Sequence, residues 1–262
     1  MDRVRAKKHL GQHFLTDLVI AKRIAESLRL NSYKKVLEIG PGMGVLTQFL
    51  LQNPNTELYV IDIDTESIGY LKEHFQQLNH KIIEGDFLKQ DLAMLFNNEE
   101  FGLIGNYPYN ISSQIVFKML DYKHLIPEMS GMFQKEVAER ICSGPGSKEY
   151  GIISVLTQAY YDAEYLFTVN ENVFNPPPKV KSGVLRLTRK KDTTLPCNEL
   201  LFKQVVKTGF NQRRKMLRNS LRSLGFTSEQ LSEEIYTKRP EQLSLQEFYS
   251  ITNQLEVNRK FN

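Results

Sequence analysis

The sequence predicts an α/β fold, in which helices cover both faces of a mostly parallel β-sheet, followed by a small all-α domain. Short apolar segments alternate with amphipathic ones between residues 35 and 141, and several apolar segments end at a glycine or an acidic residue. This alternation is typical of β-α-β units and of a parallel sheet. From residue 199 the pattern is helical, and the segment TTLP at 193–196 reads as a linker. We therefore predict two domains, residues 1–192 and residues 193–262.

The elements follow in chain order. Thr16 is the expected N-cap of a helix that runs to about Leu30. The predicted strands comprise residues 35–39, 58–61, 82–83, 103–104 and 129–133, and the predicted helices comprise residues 45–51, 66–78, 111–120 and 134–141. Residues 163–169 and 182–188 are strand-like, and we expect them to pair antiparallel at the edge of the sheet.

Composition narrows the class of protein. The two cysteines, Cys142 and Cys197, lie far apart and form no CxxC pair, which favours a reduced intracellular protein without a disulfide framework or a zinc site. No segment approaches eighteen apolar residues, and the basic N-terminus lacks the apolar core of a signal peptide. We therefore expect a cytoplasmic protein that binds no metal and no membrane.

Glycine and acidic residues follow three successive predicted strands. Gly40-Pro41-Gly42 follows the first strand, Asp62 ends the second, 22 residues past Gly40, and Asp86 ends the third. An acid at this distance from the glycine turn typically accepts both hydroxyls of a ribose, and its charge disfavours a 2′-phosphate. Asp86 could accept an adenine amine. Since ligands of α/β sheets bind at the carboxyl edge, the pattern predicts a nucleoside site there.

The fourth strand is followed by Asn106-Tyr107-Pro108-Tyr109. An amide oxygen accepts hydrogen bonds from an NH2 group, and a tyrosine ring stacks on a planar heterocycle. Pro108 restricts the backbone between them. The tetrapeptide therefore suits a flipped-out base with an exocyclic amine, although a strand-end turn with two half-buried tyrosines fits it equally well.

Together these motifs resemble those of the ribosomal RNA adenine N6,N6-dimethyltransferase family, which belongs to the class I S-adenosylmethionine-dependent methyltransferases. The resemblance covers essentially the whole chain and rests on KHLGQHFL at 8–15, EIGPG at 38–42, NYPYNIS at 106–112, QKEVAER at 134–140 and FNPPPKVKS at 174–182. The last two segments discriminate best, because many methyltransferases share the donor-site motifs.

The resemblance implies a Rossmann-like class I fold with a mostly parallel seven-stranded sheet. It further implies S-adenosyl-L-methionine as the methyl donor and no metal. The implied substrate is two adjacent adenosines near the 3′ end of small-subunit (16S) rRNA, with a role in ribosome biogenesis. The implied partner is this rRNA or the pre-30S particle, and we expect the protein to act as a monomer.

The resemblance also assigns residues. It implies donor contacts from His13, Leu15, Gly40, Asp62, Asp86 and Asn106. The family usually has Asn in place of His13 and Leu in place of Tyr107. The carbonyls of Asn106 and Pro108 are expected to accept the two N6 hydrogens, while Tyr109 stacks on the base. Phe174 either closes the other face of the base or is an ordinary core aromatic.

Basic residues form three runs in which acids are rare or absent, at 1–15, 178–191 and 203–222. A charge run is commonly a solvated face, but three in a chain with a net charge of only +4 favour contact with phosphates. The predicted RNA contacts are Arg5, Lys7, Lys8, Lys179, Lys181, Arg213, Arg214, Lys215 and Arg218.

Other functions stay open at this point. The first alternative is a large-subunit rRNA adenine methyltransferase of the resistance type, which would share the donor site. A DNA adenine methyltransferase is disfavoured, because no sequence-reading domain is evident. A non-catalytic RNA-binding assembly factor on the same fold is the alternative outside enzymes.

Overall fold

The computed structural model describes residues 4–261, without the side chains of Asn79 and Phe261. The strands are β1 (Phe14–Leu15), β2 (Lys35–Ile39), β3 (Glu57–Asp62), β4 (Ile82–Glu84), β5 (Phe101–Asn106), β6 (Glu128–Gln134), β7 (Tyr161–Val169), β8 (Phe174–Asn175) and β9 (Ser182–Arg189). The helices are α1 (Leu18–Ala25), α2 (Thr47–Leu50), α3 (Thr65–His74), α4 (Leu92–Leu95), α5 (Ser112–Asp121), α6 (Lys135–Cys142), α7 (Ile152–Tyr160), α8 (Glu199–Asn211), α9 (Leu217–Ser220), α10 (Ser228–Ser232) and α11 (Leu245–Phe261). Short 3₁₀ helices join several of them.

Seven strands form one sheet in the order β4-β3-β2-β5-β6-β9-β7. The pairs β4-β3, β3-β2, β2-β5 and β5-β6 are parallel, and β9 is antiparallel to β6. This confirms the predicted mostly parallel sheet, its seven strands and the antiparallel pairing of 182–188. The register sets Ile39 beside Ile61 and Glu38 beside Ile104, so β2, β3 and β5 end close together.

The sheet is held by an apolar core that explains its strand composition. Val36, Val60 and Ile104 are fully buried, and Ala21 and Ile24 of α1 pack in the same cluster. Full burial of each larger aliphatic side chain contributes roughly 1.5–3 kcal/mol. Strands that are buried on both faces read as continuous apolar runs, as these do. The core therefore stabilises the positions of the strands. The loops at the carboxyl ends of the strands can then carry the residues of a binding site.

The first predicted helix differs from the structure at both ends. Helix α1 ends at Ala25 and not near Leu30, whose positive φ of 55° is not helical. Thr16 is not the N-cap of α1, because the Asp17 Oδ1 accepts the backbone N–H groups of Val19 at 2.9 Å and Ile20 at 3.0 Å. The Thr16 hydroxyl instead donates to the Val173 carbonyl at 2.9 Å. A carboxylate is the stronger cap because its charge also complements the helix dipole.

Helix α7 was not predicted at all. Its residues are almost all buried, and its sequence IISVLTQAY lacks the polar face that reveals an amphipathic helix. Only the tertiary structure distinguishes such a segment from a buried strand.

The chain divides into two compact units. The first comprises the residues up to Glu139 and Asp162–Arg189, and it contains the sheet. The second comprises Arg140–Tyr161 and the residues from Lys190 onward. In the second unit α8 packs against α7 and α11, and the rings of Phe202 and Tyr249 lie 5.2 Å apart. The predicted functional boundary at 192/193 stays a prediction.

Candidate active site

A cavity in the first unit lies at the carboxyl ends of β2, β3 and β5. Its walls are the glycine turn after β2, the end of β3, the segment 106–109 after β5, and residues 10–15. The last of these belong to residues 4–15, which we call the N-terminal arm. The cavity brings together these predicted site residues: His13, Leu15, Gly40, Asp62, Asn106, Pro108 and Tyr109.

The turn after β2 requires its glycines. Gly40 and Gly42 have φ angles of +67° and +54°, which residues with a side chain rarely adopt. A Cβ on Gly42 would lie 2.8 Å from the Phe14 ring, so the glycine also lets the N-terminal arm approach closely. The backbone of the turn is therefore exposed to the cavity beneath the arm.

Asp62 is held in place by backbone donors. Its Oδ1 accepts the Asp64 N–H at 2.9 Å, and its Oδ2 accepts the Gly42 N–H at 3.3 Å. The residue is 8% exposed, and burial raises the pKa of its carboxyl. These bonds fix the carboxylate at the cavity wall, where a ligand hydroxyl can donate to its remaining lone pairs.

Glu38 is a second carboxyl group in the cavity wall, and it is not among the predicted site residues. It is 1% exposed, and the Thr47 hydroxyl donates to its Oε2 at 2.6 Å. Burial raises the pKa of Glu38 to about 8. The hydrogen bond from Thr47 lowers the pKa, but its effect is smaller than that of burial. A glutamate inside the apolar strand KVLEI, directly before a glycine turn, is the signal that would have revealed this residue.

Asn106 ends β5 with a defined amide orientation. Its Nδ2 donates to the His13 carbonyl at 3.0 Å, and since a carbonyl can only accept, this bond leaves Oδ1 as the acceptor. The Pro108 carbonyl accepts the Ile111 N–H at 3.2 Å and keeps its second lone pair. Two carbonyl-type acceptors thus lie within one short segment at the cavity.

Tyr109 is braced on two sides. Its hydroxyl forms a hydrogen bond with the Ser182 Oγ, and the centroid of its ring lies 5.5 Å from that of His13. The His13 Nδ1 donates to the Pro176 carbonyl at 2.8 Å, which fixes that ring in turn. Burial raises the pKa of Tyr109, so its hydroxyl stays protonated near neutral pH.

Tyr107 is the second departure from the family pattern, and it is part of the protein core. It is 1% exposed, its hydroxyl donates to the Ser130 carbonyl at 2.8 Å, and its ring lies 4.7 Å from that of Phe133. Burial raises the pKa of Tyr107 well above its usual value. The hydroxyl is therefore committed to β6 and is not a candidate for proton transfer.

Asp86 and Phe174 are not among the residues that line the cavity. The Asp86 Oδ1 accepts the Leu88 N–H at 2.9 Å and caps a short 3₁₀ helix. Phe174 is 4% exposed and lies opposite Leu15 in the β1-β8 ladder, inside the apolar core. This packing supports the core interpretation of Phe174, and the adenine contact of Asp86 stays a prediction.

Two of the predicted RNA contacts are engaged within the protein. The Lys7 Nζ lies 2.5 Å from the Asp64 Oδ1 and 3.0 Å from the Glu66 Oε1. The Arg213 guanidinium donates to the carbonyls of Ser147 and Lys148. Both cations therefore have structural partners, which the sequence runs alone do not reveal.

The other predicted RNA contacts are exposed and form no ion pair within the described part of the chain. In the first unit they are Arg5, Lys8, Lys179 and Lys181, and in the second unit they are Arg214, Lys215 and Arg218. Each presents a cation to solvent, as a phosphate contact requires.

Within residues 4–261, no three His, Cys, Asp or Glu residues are grouped so that they could hold a metal ion. Among the described helices, none combines the length and the apolar character needed to cross a bilayer.

Known proteins are similar to this chain over nearly its whole length. The chain is 60% identical to the ribosomal RNA small subunit methyltransferase A of Flavobacterium johnsoniae over 98% of both chains. It is also 60% identical to the protein of the same name from Phocaeicola vulgatus, over 99% of this chain and 93% of that one.

Solved structures share the fold. A dimethyladenosine transferase from Plasmodium falciparum superposes with a TM-score of 0.77 at 26% identity, covering 95% of this chain and 98% of its own. The 23S rRNA methyltransferase ErmE superposes with a TM-score of 0.66 at 24% identity, covering 92% of this chain and 100% of its own, which is a likeness of fold alone.

The pattern of the family described as ribosomal RNA adenine dimethylase matches residues 3–256. The match confirms the resemblance inferred from the motifs and covers nearly the whole sequence. The chain belongs to the ribosomal RNA adenine dimethylase family.

Proposed function

We propose that this protein transfers methyl groups from S-adenosyl-L-methionine to N6 of two adjacent adenosines near the 3′ end of small-subunit rRNA. The product is N6,N6-dimethyladenosine, formed during assembly of the small subunit. One observation carries the proposal: the amine acceptors of Asn106 and Pro108 line the same cavity as Gly40 and Asp62. The names of the relatives at about 60% identity support the small subunit as the source of the substrate.

The donor half of the cavity fits a cationic nucleoside. The Asp62 carboxylate would accept the ribose hydroxyls, and the turn at Gly40 lets backbone approach the ligand. The buried Glu38 carboxyl is protonated at neutral pH before a donor binds, and a cationic donor bound beside it would favour the ionised form. When bound, the donor supplies a methyl group already activated by its sulfonium.

The acceptor half fits adenine. The Asn106 Oδ1 and the Pro108 carbonyl would accept the two N6 hydrogens and aim the nitrogen lone pair at the methyl group. Positioning of this kind supplies roughly 7–11 kcal/mol in favourable cases. Stacking on Tyr109 contributes about 1–3 kcal/mol, which offsets the few kcal/mol needed to extract the base.

Transfer forms the N6–carbon bond and breaks the sulfur–carbon bond, whose electrons return to sulfur. The N6 proton then passes to water. After the first transfer one N6 hydrogen remains, so either of the two acceptors is sufficient to hold the monomethylated base for the second. We propose that the protein works in the cytoplasm as a monomer on rRNA or on the pre-30S particle.

Phosphates of the rRNA would bind the exposed cations of each unit, including Lys8 in the first and Arg214 in the second. Of the alternatives, large-subunit specificity is disfavoured by the names of the closely similar relatives. A non-catalytic factor is disfavoured because the cavity keeps its glycine turn, its buried carboxylates and its amide acceptor together.

The test is incubation with isotopically labelled donor and unmethylated small subunits, followed by mapping of N6,N6-dimethyladenosine. We expect Asn106→Ala to abolish transfer while RNA affinity stays nearly unchanged, because Oδ1 holds the reacting amine. Asn55→Ala is the matched control. Asn55 is exposed and lies just before the amino end of β3, whereas the cavity lies at the carboxyl ends of the strands. Full activity of Asn106→Ala would refute the proposed orientation of N6.

A further inference from the structure

Asp64 joins the N-terminal arm to the end of β3. The residue is 2% exposed and caps α3 by accepting the Glu66 N–H at 3.1 Å. The same carboxylate accepts the Lys7 Nζ at 2.5 Å and the Gln12 Nε2 at 2.9 Å. A helix cap alone would not require two donors that come from more than fifty residues away in sequence.

The two arm residues also brace each other. The Gln12 Oε1 accepts the Lys7 backbone N–H at 2.8 Å. This hydrogen bond links the two residues that donate to Asp64. Burial alone would raise the pKa of Asp64, but the hydrogen bonds from Gln12 and Lys7 outweigh it and the pKa is lowered. The carboxylate is therefore ionised and fully engaged.

The contact is coupled to the donor cavity in two ways. The Asp64 N–H donates to the Oδ1 of Asp62, the proposed ribose acceptor, at 2.9 Å. Residues 10–15, which follow directly after Lys7–His9, form a wall of the cavity. Displacement of the arm would therefore remove this wall and loosen the backbone that orients Asp62.

We infer that Lys7, Gln12 and Asp64 form a clasp that holds the N-terminal arm as a wall of the donor cavity, and that Lys7 serves donor binding rather than RNA binding. These are positioning residues, since the clasp itself touches no reacting atom. The inference rests on the proposed function, because it assumes that the cavity binds the donor.

The test is calorimetric titration with S-adenosylhomocysteine, the demethylated donor, of Lys7→Met, Asp64→Asn and the double variant. Asparagine preserves the cap of α3, and the Lys7 side chain is 27% exposed, so both variants should fold. We expect each single change to raise the Kd about tenfold, in the range seen for contacting residues. The double change should raise it by less than the product of the two, because both changes remove the same Lys7–Asp64 contact. In turnover assays KM for the donor should rise while kcat at saturating donor stays constant.

Lys22→Met is the matched control, because Lys22 forms a surface pair with Glu26 at 3.8 Å and both side chains are more than half exposed. An unchanged Kd for Lys7→Met would overturn the clasp, and so would additive effects of the two changes. A loss of RNA affinity without loss of donor affinity would return Lys7 to the RNA contacts. If the unaltered protein binds no S-adenosylhomocysteine, the proposed function itself fails.

Discussion

Glu38 makes the stability of this protein depend on pH in a direction opposite to that of most carboxylates. Its carboxyl is 1% exposed, has the Thr47 hydroxyl as a hydrogen-bond partner, and faces further negative charge from Asp62. Burial raises its pKa from 4.5 to about 8, so the folded protein keeps a proton that the unfolded chain loses near pH 4.5. The free energy of unfolding must therefore fall as the pH rises between these values.

The size of the effect follows from the separation of the two pKa values. At about 1.4 kcal/mol for each pH unit, it corresponds to at most about 5 kcal/mol, lost progressively between pH 4.5 and 8 and not recovered above pH 8. A typical domain has a total stability of about 5–15 kcal/mol, so the loss is measurable. Glu38→Gln keeps the shape and an acceptor for Thr47 but removes the titration.

Urea unfolding of the unaltered protein and of Glu38→Gln, measured from pH 5 to pH 9, tests this reasoning. We expect the variant to gain stability relative to the unaltered protein by several kcal/mol across the range. Glu26→Gln, at a site whose side chain is 63% exposed, should show almost no such trend. A constant difference between Glu38→Gln and the unaltered protein at every pH would refute the raised pKa.

Two further predictions concern the Tyr107 hydroxyl and the basic residues 213–215. Tyr107→Phe removes the hydrogen bond to the Ser130 carbonyl and should lower the free energy of unfolding by about 1 kcal/mol, with methyl transfer intact; a lost activity at full stability would assign the hydroxyl to catalysis instead. Arg214→Ala and Lys215→Ala should each lower the slope of log affinity against log salt by roughly 1, whereas Arg213→Ala should lower the melting temperature and leave the slope unchanged. Filter binding over a salt series and thermal unfolding distinguish these outcomes, and an equal change of slope for Arg213→Ala would contradict its structural role.

The sequence was sufficient for the sheet and for most of the cavity, because both follow from local pattern. Gly40, Asp62 and Asn106 each follow an apolar strand, and neighbouring parallel strands bring their carboxyl ends to one edge. The adjacent parallel strands β3, β2 and β5 therefore bring these three residues to one cavity, whereas Asp86 after β4, at the edge of the sheet, does not line it.

Contacts between distant segments were not predictable in this way. Lys7 and Lys8 share one basic run, and Arg213 and Arg214 share another. Only the tertiary structure shows that Lys7 and Arg213 have oxygen partners within the protein. The sequence leaves the role of Phe174 open for the same reason, because an aromatic ring before a proline-rich segment fits a core or a ligand face equally well.

The departure at position 13 shows how the fold accommodates a changed residue without losing the site. Asn106 is oriented by the main-chain carbonyl of His13, and every residue at that position supplies this oxygen. The side chain is then free to differ from the Asn of the family pattern, and here its ring instead contacts Tyr109 and the Pro176 carbonyl. Because the acceptor amide depends on the backbone of the N-terminal arm, the arm both walls the donor cavity and orients the group that holds the base.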